Sequence, residues 1–356
     1  MPSINDHSPE EFLEAFREDP TNAPLALFAG AALDRAGREE EAVAIWTYGE
    51  DVNPALRSVW RDPAAQGEMR DHSKRADEAI RRHFTGLHHQ IVNNAGGAEI
   101  DRVRNGIWAH YATAPFDYKQ PLQRPEIFYM PDLDPKSVYQ NDEISFAKEL
   151  DAAYADIRAE WEAALAANVK QFPYVPESTQ RSVWDELGGK MDWSALYLHF
   201  NASVTDEANH FPKTLQALEN VPLVKRDGVP LETFFSRLIP GTKIPPHFGL
   251  TNTRLTMHYP VRIPSDCAIR VGEEMCSWQE GKLIGFDDSY EHEAWNKSQD
   301  DRVVMIFETH HPDLSLAEID AIEKIYAGFH EWVTGRVDML GVNPKKFIHP
   351  DAGGIA

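Results

Sequence analysis

Cysteine is scarce in this sequence, which has two, Cys267 and Cys276, among its 356 residues. Two thiols are too few for a disulfide framework or for a zinc site built of cysteines. We expect both to be reduced thiols in or beside strands, as in a protein of the reducing cytoplasm. The cysteine content therefore predicts a cytoplasmic location.

Two further features are missing, long apolar runs and an excess of basic residues. No apolar stretch approaches the roughly 20 residues that span a bilayer, and residues 1–7 lack the basic and apolar segments of a secretory signal. Acidic residues outnumber basic ones by 57 to 35, a formal net charge of −22. We therefore expect no membrane association and no nucleic-acid partner, since anionic lipid and nucleic acid are bound by basic faces.

The N-terminal third carries helical patterns. Ser8-Pro9-Glu10-Glu11 is a capping box with proline at the first helical position, which predicts a helix beginning there. Between Ala23 and Pro54, small and large residues fall at the offsets of a tetratricopeptide helix-turn-helix unit. One such unit cannot bury its apolar face alone. We expect this region either to dock a protein partner or to serve as a structural helical cap.

The remaining sequence changes texture twice. Five prolines between Pro115 and Pro135 mark a domain boundary, and beyond Pro230 short strands with period-two alternation are typical of an antiparallel barrel or jelly roll. The predicted fold class is α+β. Its predicted parts are a tetratricopeptide-like helical domain over residues 1–112, a proline-rich linker over 113–136, and a double-stranded β-helix (jelly-roll, cupin-like) domain with flanking helices over 137–356.

One predicted strand has a polar face. Arg254, Thr256 and His258 alternate there with apolar residues, as on a strand that lines water or a polar pocket. Taken alone, His258 is equally well explained as a surface histidine. This polar strand face indicates a function only when it is considered together with the histidines that flank the strand in sequence.

Two more histidines flank that strand. His247 lies in a proline-rich loop before it, His292 lies in an acid-rich corner after the predicted strand 282–286, and Arg302 begins the next strand. Histidines on loops at strand ends, with an arginine one strand further, match non-haem iron oxygenases, which bind Fe(II), a keto acid and O₂. The usual carboxylate two residues after the first histidine is missing, because that position is Gly249. Its absence counts against a generic facial triad.

Several longer segments follow one another in a fixed order: Asp192–Ser194, Phe211–Glu219, Pro240–His258, Trp278–Lys282, Phe286–Trp295 and His311–Leu314. Together they resemble the aspartyl/asparaginyl β-hydroxylase family of Fe(II)- and 2-oxoglutarate-dependent oxygenases. The resemblance covers roughly residues 192–314 and implies that the domain over 137–356 is an oxygenase. A tetratricopeptide-like region ahead of that domain is also a habit of the family.

The resemblance implies an iron site without an acidic ligand, which accounts for Gly249. His247 and His292 would bind Fe(II), and Asp288, without binding the metal itself, would hold water at the vacant position.

The same resemblance implies where two organic molecules bind. Ser236 and Arg302 would bind the C5 carboxylate of 2-oxoglutarate, and His258 would bind its C1 end. Arg254 would bind the substrate.

Phe234 and Thr256 depart from the animal members of the family, which have basic residues there, near the substrate carboxylate. We expect a dioxygenase that hydroxylates an unactivated carbon, first the β-carbon of an aspartate- or asparagine-type residue in a peptide or protein. Hydroxylation of a free or carrier-tethered amino acid, or of another small acid, is the alternative that the two departures favour. A non-catalytic cupin-like module that docks partners through its helices is a third reading, and the retained histidines, Ser236 and Arg302 argue against it.

Overall fold

A computed structural model describes residues 7–177 and 182–342. Over these residues the chain forms eight α-helices: α1 (Pro9–Glu18), α2 (Ala23–Arg35), α3 (Glu39–Val52), α4 (Gly67–Ala95), α5 (Asp101–Arg104), α6 (Ala147–Ala166), α7 (Pro212–Leu218) and α8 (Leu316–Leu340). No helix in this part of the chain combines the length and the apolar character that a bilayer crossing needs.

The same residues form sixteen strands: β1 (Ile107–Trp108), β2 (Phe128–Tyr129), β3 (Val138–Gln140), β4 (Phe172–Pro173), β5 (Trp193–Phe200), β6 (Ser203–Val204), β7 (Lys225–Arg226), β8 (Val229–Pro230), β9 (Thr233–Leu238), β10 (Lys243–His247), β11 (Arg254–Arg262), β12 (Cys267–Val271), β13 (Glu274–Cys276), β14 (Ile284–Phe286), β15 (His292–Asn296) and β16 (Arg302–His310). Helices and strands divide into two compact units.

The first unit contains α1–α5 and most of α8. The predicted capping box is present, since the Ser8 side chain accepts from the Glu11 amide and the Glu11 carboxylate accepts from the Ser8 amide at 2.7 Å. Helices α2 and α3 approach closely at Gly30, where any Cβ would overlap the ring of Trp46. The predicted helix pair is therefore confirmed, whereas its classification as a tetratricopeptide unit stays a prediction.

The observed units differ from the predicted domain division at several boundaries. Residues 320–342 group with the helical unit, because Phe329 and Trp332 of α8 pack on Phe84 of α4 with ring centroids 5.0 and 5.1 Å apart. Residues 117–136, predicted to be a linker, group with the second unit, where Phe128 pairs with Thr251. An apolar stripe or a proline cluster does not reveal which surface it will pack against.

The second unit contains two antiparallel sheets. The larger has the order β3-β14-β11-β16-β9-β5-β4, with β6 beside β5, and the smaller has the order β10-β15-β12-β13. Residues of both sheets share one apolar core, as in a jelly roll. With α1–α4 ahead of these antiparallel sheets, the α+β class is confirmed in this coarse form.

Alternation along the strands of the larger sheet separates two environments. Odd-numbered residues of β11, such as Leu255 and Met257, join α6 in a core on the outer face. Even-numbered residues of β9 and β16, such as Leu238 and Val304, join the core shared with the smaller sheet. Because side chains alternate with period two, this register directs Arg254, Thr256 and His258 towards the smaller sheet.

Strand β10 was predicted to be a loop because it contains Pro245 and Pro246. It is the edge strand of the smaller sheet and pairs only with β15 among the described strands. An edge strand tolerates proline, since one side of its backbone makes no ladder hydrogen bonds. The predicted loop is therefore a strand, and its last residue is His247.

Candidate active site

His247 and His292 face each other across the edge of the smaller sheet. His247 ends β10, His292 begins β15, and the two are cross-strand partners with ring centroids 4.0 Å apart. The prediction that both lie on loops is therefore wrong. The sequence could not predict that the two histidines are cross-strand partners, because a β-bulge after Ile244 shifts the register of β10 against β15.

Hydrogen bonds orient both rings in the same sense. Nδ1 of His247 lies 2.8 Å from the carbonyl oxygen of Pro245, and Nδ1 of His292 lies 3.0 Å from that of Tyr290. A carbonyl only accepts, so each Nδ1 carries the proton and each Nε2 keeps its lone pair. Burial lowers the pKa of both rings, that of His292 to about 3 with a further contribution from His247. Two neutral imidazoles with oriented Nε2 atoms fit a metal ion.

The carboxyl group of Asp288 occupies the space beside Gly249. The Gly249 amide donates to the Asp288 carbonyl oxygen at 2.7 Å, and any Cβ at Gly249 would overlap the Asp288 side chain. Thr256 Oγ1 donates to Asp288 Oδ2 at 3.0 Å. Burial, with Glu308 and Asp287 adding to it, raises the pKa of Asp288 well above its usual range. Asp288 thus fills the volume that an acidic side chain at position 249 would need.

No group of three or more histidine, cysteine, aspartate or glutamate side chains within residues 7–177 and 182–342 is placed to hold a metal ion. A metal bound at the histidine pair would therefore take two protein ligands from this part of the chain, His247 and His292.

Arg302 is a buried cation without an acidic partner. Its side chain is 1% exposed, and no carboxylate among the described residues contributes to its pKa. Its Nη1 donates to Ser236 Oγ at 3.3 Å, and Trp193 Nε1 donates to the same oxygen at 3.0 Å. Because that oxygen already accepts twice, the Ser236 hydroxyl keeps its proton for another acceptor. Burial lowers the pKa of Arg302 to about 10, so the guanidinium stays charged at neutral pH.

His258 lies between the histidine pair and Arg302. Burial lowers its pKa well below the usual range, and its neighbours Arg302 and His292 act in the same direction. Its ring stacks on Trp278 with centroids 5.8 Å apart and meets Phe286 edge-on at 4.9 Å. His258 is 6% exposed, so the surface reading left open by the sequence is wrong.

The sequence profile of the family described as aspartyl/asparaginyl β-hydroxylase matches residues 151–312. This segment is similar to the aspartyl/asparaginyl β-hydroxylase family. Similar curated proteins include aspartate β-hydroxylase domain-containing protein 2 of Xenopus tropicalis, 32% identical over 58% of this chain and 55% of that protein. Human aspartyl/asparaginyl β-hydroxylase is 38% identical over 37% of this chain and 17% of its own length.

A third relative carries a different substrate in its name. Ornithine lipid ester-linked acyl 2-hydroxylase of Rhizobium tropici is 31% identical over 47% of this chain and 58% of its own length. The chain therefore spans little more than half, or less, of each of these three relatives.

Within the second unit, Arg254 is at the opposite end of the β11–β16 pair from Arg302. Arg254 is opposite His310 in the register, and its Nη1 donates to Glu308 Oε2 at 3.1 Å. Glu232 is close by, because Glu308 and Arg254 both act on its pKa, which burial raises to about 7. The predicted substrate-binding arginine is thus accompanied by two carboxylates that the sequence reasoning missed.

Aromatic side chains line the sheet next to Ser236. Phe234 stacks on Tyr174 at 5.4 Å and contacts Tyr197 at 5.2 Å, and Tyr174 stacks on Trp193 at 4.0 Å. We call Tyr174, Trp193, Tyr197 and Phe234 the aromatic wall. The sequence marked Phe234 as a departure from the animal enzymes. Its ring partners, Tyr197 of β5 and Tyr174 in the segment before β5, are distant in sequence and were not predicted.

Proposed function

We propose that this protein is an Fe(II)- and 2-oxoglutarate-dependent dioxygenase that hydroxylates an unactivated carbon. The observation that carries the proposal is the buried, unpaired Arg302 on the same sheet face as His258, which borders the His247–His292 pair. An uncompensated buried charge costs several kcal/mol. An anion that enters the site would relieve that cost, and a keto diacid offers a carboxylate at the required place.

His247 and His292 would hold the iron through their Nε2 atoms, with no protein carboxylate. Bound iron supplies the activation of O₂ that couples oxidation of the keto acid to succinate and CO₂ with hydroxylation of a C–H bond. The chain's own part is to keep both imidazoles neutral and oriented by the Pro245 and Tyr290 carbonyls. Asp288, held by Thr256, would accept a hydrogen bond from water beside the metal.

Ser236 and Arg302 would bind the C5 carboxylate of 2-oxoglutarate. The guanidinium supplies charge-assisted donors, and the Ser236 hydroxyl supplies the proton that its two present donors leave unused. His258, closer to the histidine pair, would contact the C1 end. As a neutral ring it adds no positive charge to a site that already has Arg302 and the metal.

The first proposed substrate is an aspartate- or asparagine-type residue of a peptide or protein, hydroxylated at its β-carbon, with Arg254 bound to its carboxylate or amide. The relatives' names include both aspartyl/asparaginyl β-hydroxylase and an ornithine-lipid acyl 2-hydroxylase. Similarity to these proteins therefore leaves the substrate open, and side chains at the Arg254 end must decide it.

A free or carrier-tethered amino acid is the second candidate, and the ion pair of Arg254 with Glu308 favours it. Opposite charges side by side complement a molecule that has a carboxylate and an ammonium group, whereas an internal peptide residue lacks the ammonium. Phe234, in the aromatic wall, adds apolar surface where a second basic residue would favour a more acidic substrate.

The proposal is tested by incubating the protein with Fe(II), O₂ and 2-oxoglutarate and measuring succinate, with Co(II) titration as a readout of metal binding. We expect succinate from the parent protein, and loss of Co(II) binding and of at least roughly 99% of turnover in His247→Ala and His292→Ala, since no ligand is spare. His210→Ala, which removes an exposed histidine, is the matched control. A parent protein that binds no Co(II) and forms no succinate would support the non-catalytic module instead.

A further inference from the structure

Trp278 is in contact with both residues proposed to hold the two ends of the keto acid. It lies on the loop between β13 and β14, and its side chain is 6% exposed. The Arg302 guanidinium carbon is 4.7 Å from the centroid of the Trp278 ring, a cation–π contact. The His258 ring is nearly parallel to the indole, at an interplanar angle of 28°.

Three buried nitrogen atoms in this cluster lack hydrogen-bond partners among the described residues. They are Nε of Arg302, Nδ1 of His258 and Nε1 of Trp278. A buried polar group without a partner costs about 1 to 3 kcal/mol, and more when it is charged. A buried tryptophan N–H usually finds a partner within its own fold. Three such atoms around one ring indicate that their partner is a molecule that enters the site.

The donors limit the chemistry of that molecule. Arg302 Nε and Trp278 Nε1 always carry a hydrogen, so both require acceptors. The Ser236 hydroxyl, bonded to Arg302, has a proton to donate as well. Three donors that include a cation match the several lone pairs of one carboxylate.

Resting on the proposed function, we propose that Trp278 is a 2-oxoglutarate-binding residue. Its indole N–H donates to the carboxylate that Arg302 and Ser236 bind, and its ring face keeps the Arg302 guanidinium beside His258. Core packing alone accounts for the buried ring, but it leaves the indole N–H and the Arg302 Nε without acceptors.

Two substitutions separate these contributions. Trp278→Phe keeps an aromatic face and removes the N–H, so we expect 2-oxoglutarate to bind about tenfold more weakly, as for one hydrogen bond to a charged group. Trp278→Leu also removes the aromatic face that contacts Arg302. We expect this variant to bind 2-oxoglutarate more weakly than Trp278→Phe does, by at least a further factor of about three. Binding is measured calorimetrically on the Zn(II)-loaded protein, which does not turn over.

Trp295→Phe is the matched control, because Trp295 is a tryptophan of the smaller sheet whose ring contacts Lys297. It should bind 2-oxoglutarate as the parent does.

A second measurement is made on the parent protein and needs a variant only to assign one signal. In the parent protein loaded with diamagnetic Zn(II), the indole N–H resonance of Trp278 should move downfield when 2-oxoglutarate is added. Trp278→Phe identifies this resonance by its absence.

A parent that binds 2-oxoglutarate while this resonance stays in place, or a Trp278→Phe protein with parental affinity, overturns the inference and leaves the proposed function standing. A parent that binds no 2-oxoglutarate overturns both.

Discussion

Arg302 and Arg254 lie at opposite ends of the strand pair β11 and β16, and their surroundings differ in kind. Arg302 is 1% exposed and has no acidic partner among the described residues, and its neighbours His258 and Trp278 also have unpartnered nitrogens. Arg254 is bonded to Glu308, whose side chain is 30% exposed. One end of the site is thus incomplete without a ligand, and the other is already paired within the chain.

This difference between the two arginines indicates whether the fold is more selective for the cosubstrate or for the substrate. Leaving a buried charge uncompensated costs several kcal/mol, so the Arg302 end strongly favours an anion. The charge of Arg254 is already compensated by Glu308, so the Arg254 end makes no comparable demand for an anion. We therefore expect the identity of the cosubstrate to be more tightly determined than that of the substrate.

The largest effect is expected at Gly249, which lies beside Asp288. Gly249→Asp adds a side chain where the Asp288 carboxyl already lies, so we expect turnover to fall by roughly a hundredfold or more. Gly249→Asp combined with Asp288→Ala removes the overlap, and we expect it to bind Co(II) at least as tightly as the parent, because a carboxylate suits such metals.

Co(II) titration and succinate formation measure both variants. Gly249→Ala is the control that introduces the steric overlap without a new charge. A Gly249→Asp enzyme faster than the parent would show that Asp288 does not occupy this space in solution.

At the Arg302 end, Arg302→Ala should weaken 2-oxoglutarate by roughly 1.5 to 3 kcal/mol, about ten- to a hundredfold, because a charge-assisted contact is lost. Metal binding should change little, since neither His247 nor His292 forms a hydrogen bond with Arg302. Arg302→Lys keeps the positive charge but loses the two-pronged guanidinium donor, so we expect an intermediate loss of affinity for 2-oxoglutarate. The apparent affinity for 2-oxoglutarate is measured at saturating Fe(II), with Arg262→Ala, an exposed arginine paired with Asp300, as the control. Unchanged affinity in Arg302→Ala would place the cosubstrate elsewhere.

The smallest effect is expected at the Arg254 end. Arg254→Ala should raise the KM for substrate about fivefold, roughly 1 kcal/mol, and leave substrate-free succinate formation nearly unchanged. Glu308→Gln distinguishes the two candidate substrates. Glu308→Gln should weaken the binding of an amino acid that has a free ammonium group. It should leave the binding of an internal peptide residue unchanged. Normal substrate KM in Arg254→Ala would mean that the pair with Glu308 is only structural.

Much of the fold followed from local patterns. The capping box at Ser8 and the alternation along β11 were visible because caps and period-two patterns depend on neighbours in sequence. The strand β10 was missed because Pro245 and Pro246 read as a loop, and only an edge position permits them. Trp278 and Glu308 were missed as site residues because neither has a metal-ligand or nucleophile pattern around it.

The sequence by itself determined the helical N-terminal region, the alternation of strands such as β11, the similarity of residues 151–312 to aspartyl/asparaginyl β-hydroxylases and which residue types are available for chemistry. The tertiary structure alone decided that His247 and His292 are cross-strand partners, that Asp288 fills the space at Gly249 and that Arg254 is paired while Arg302 is not. The physical reason is that a polar group's partner depends on strand register and on side chains distant in sequence. A buried charge therefore becomes informative only once all its neighbours are in place.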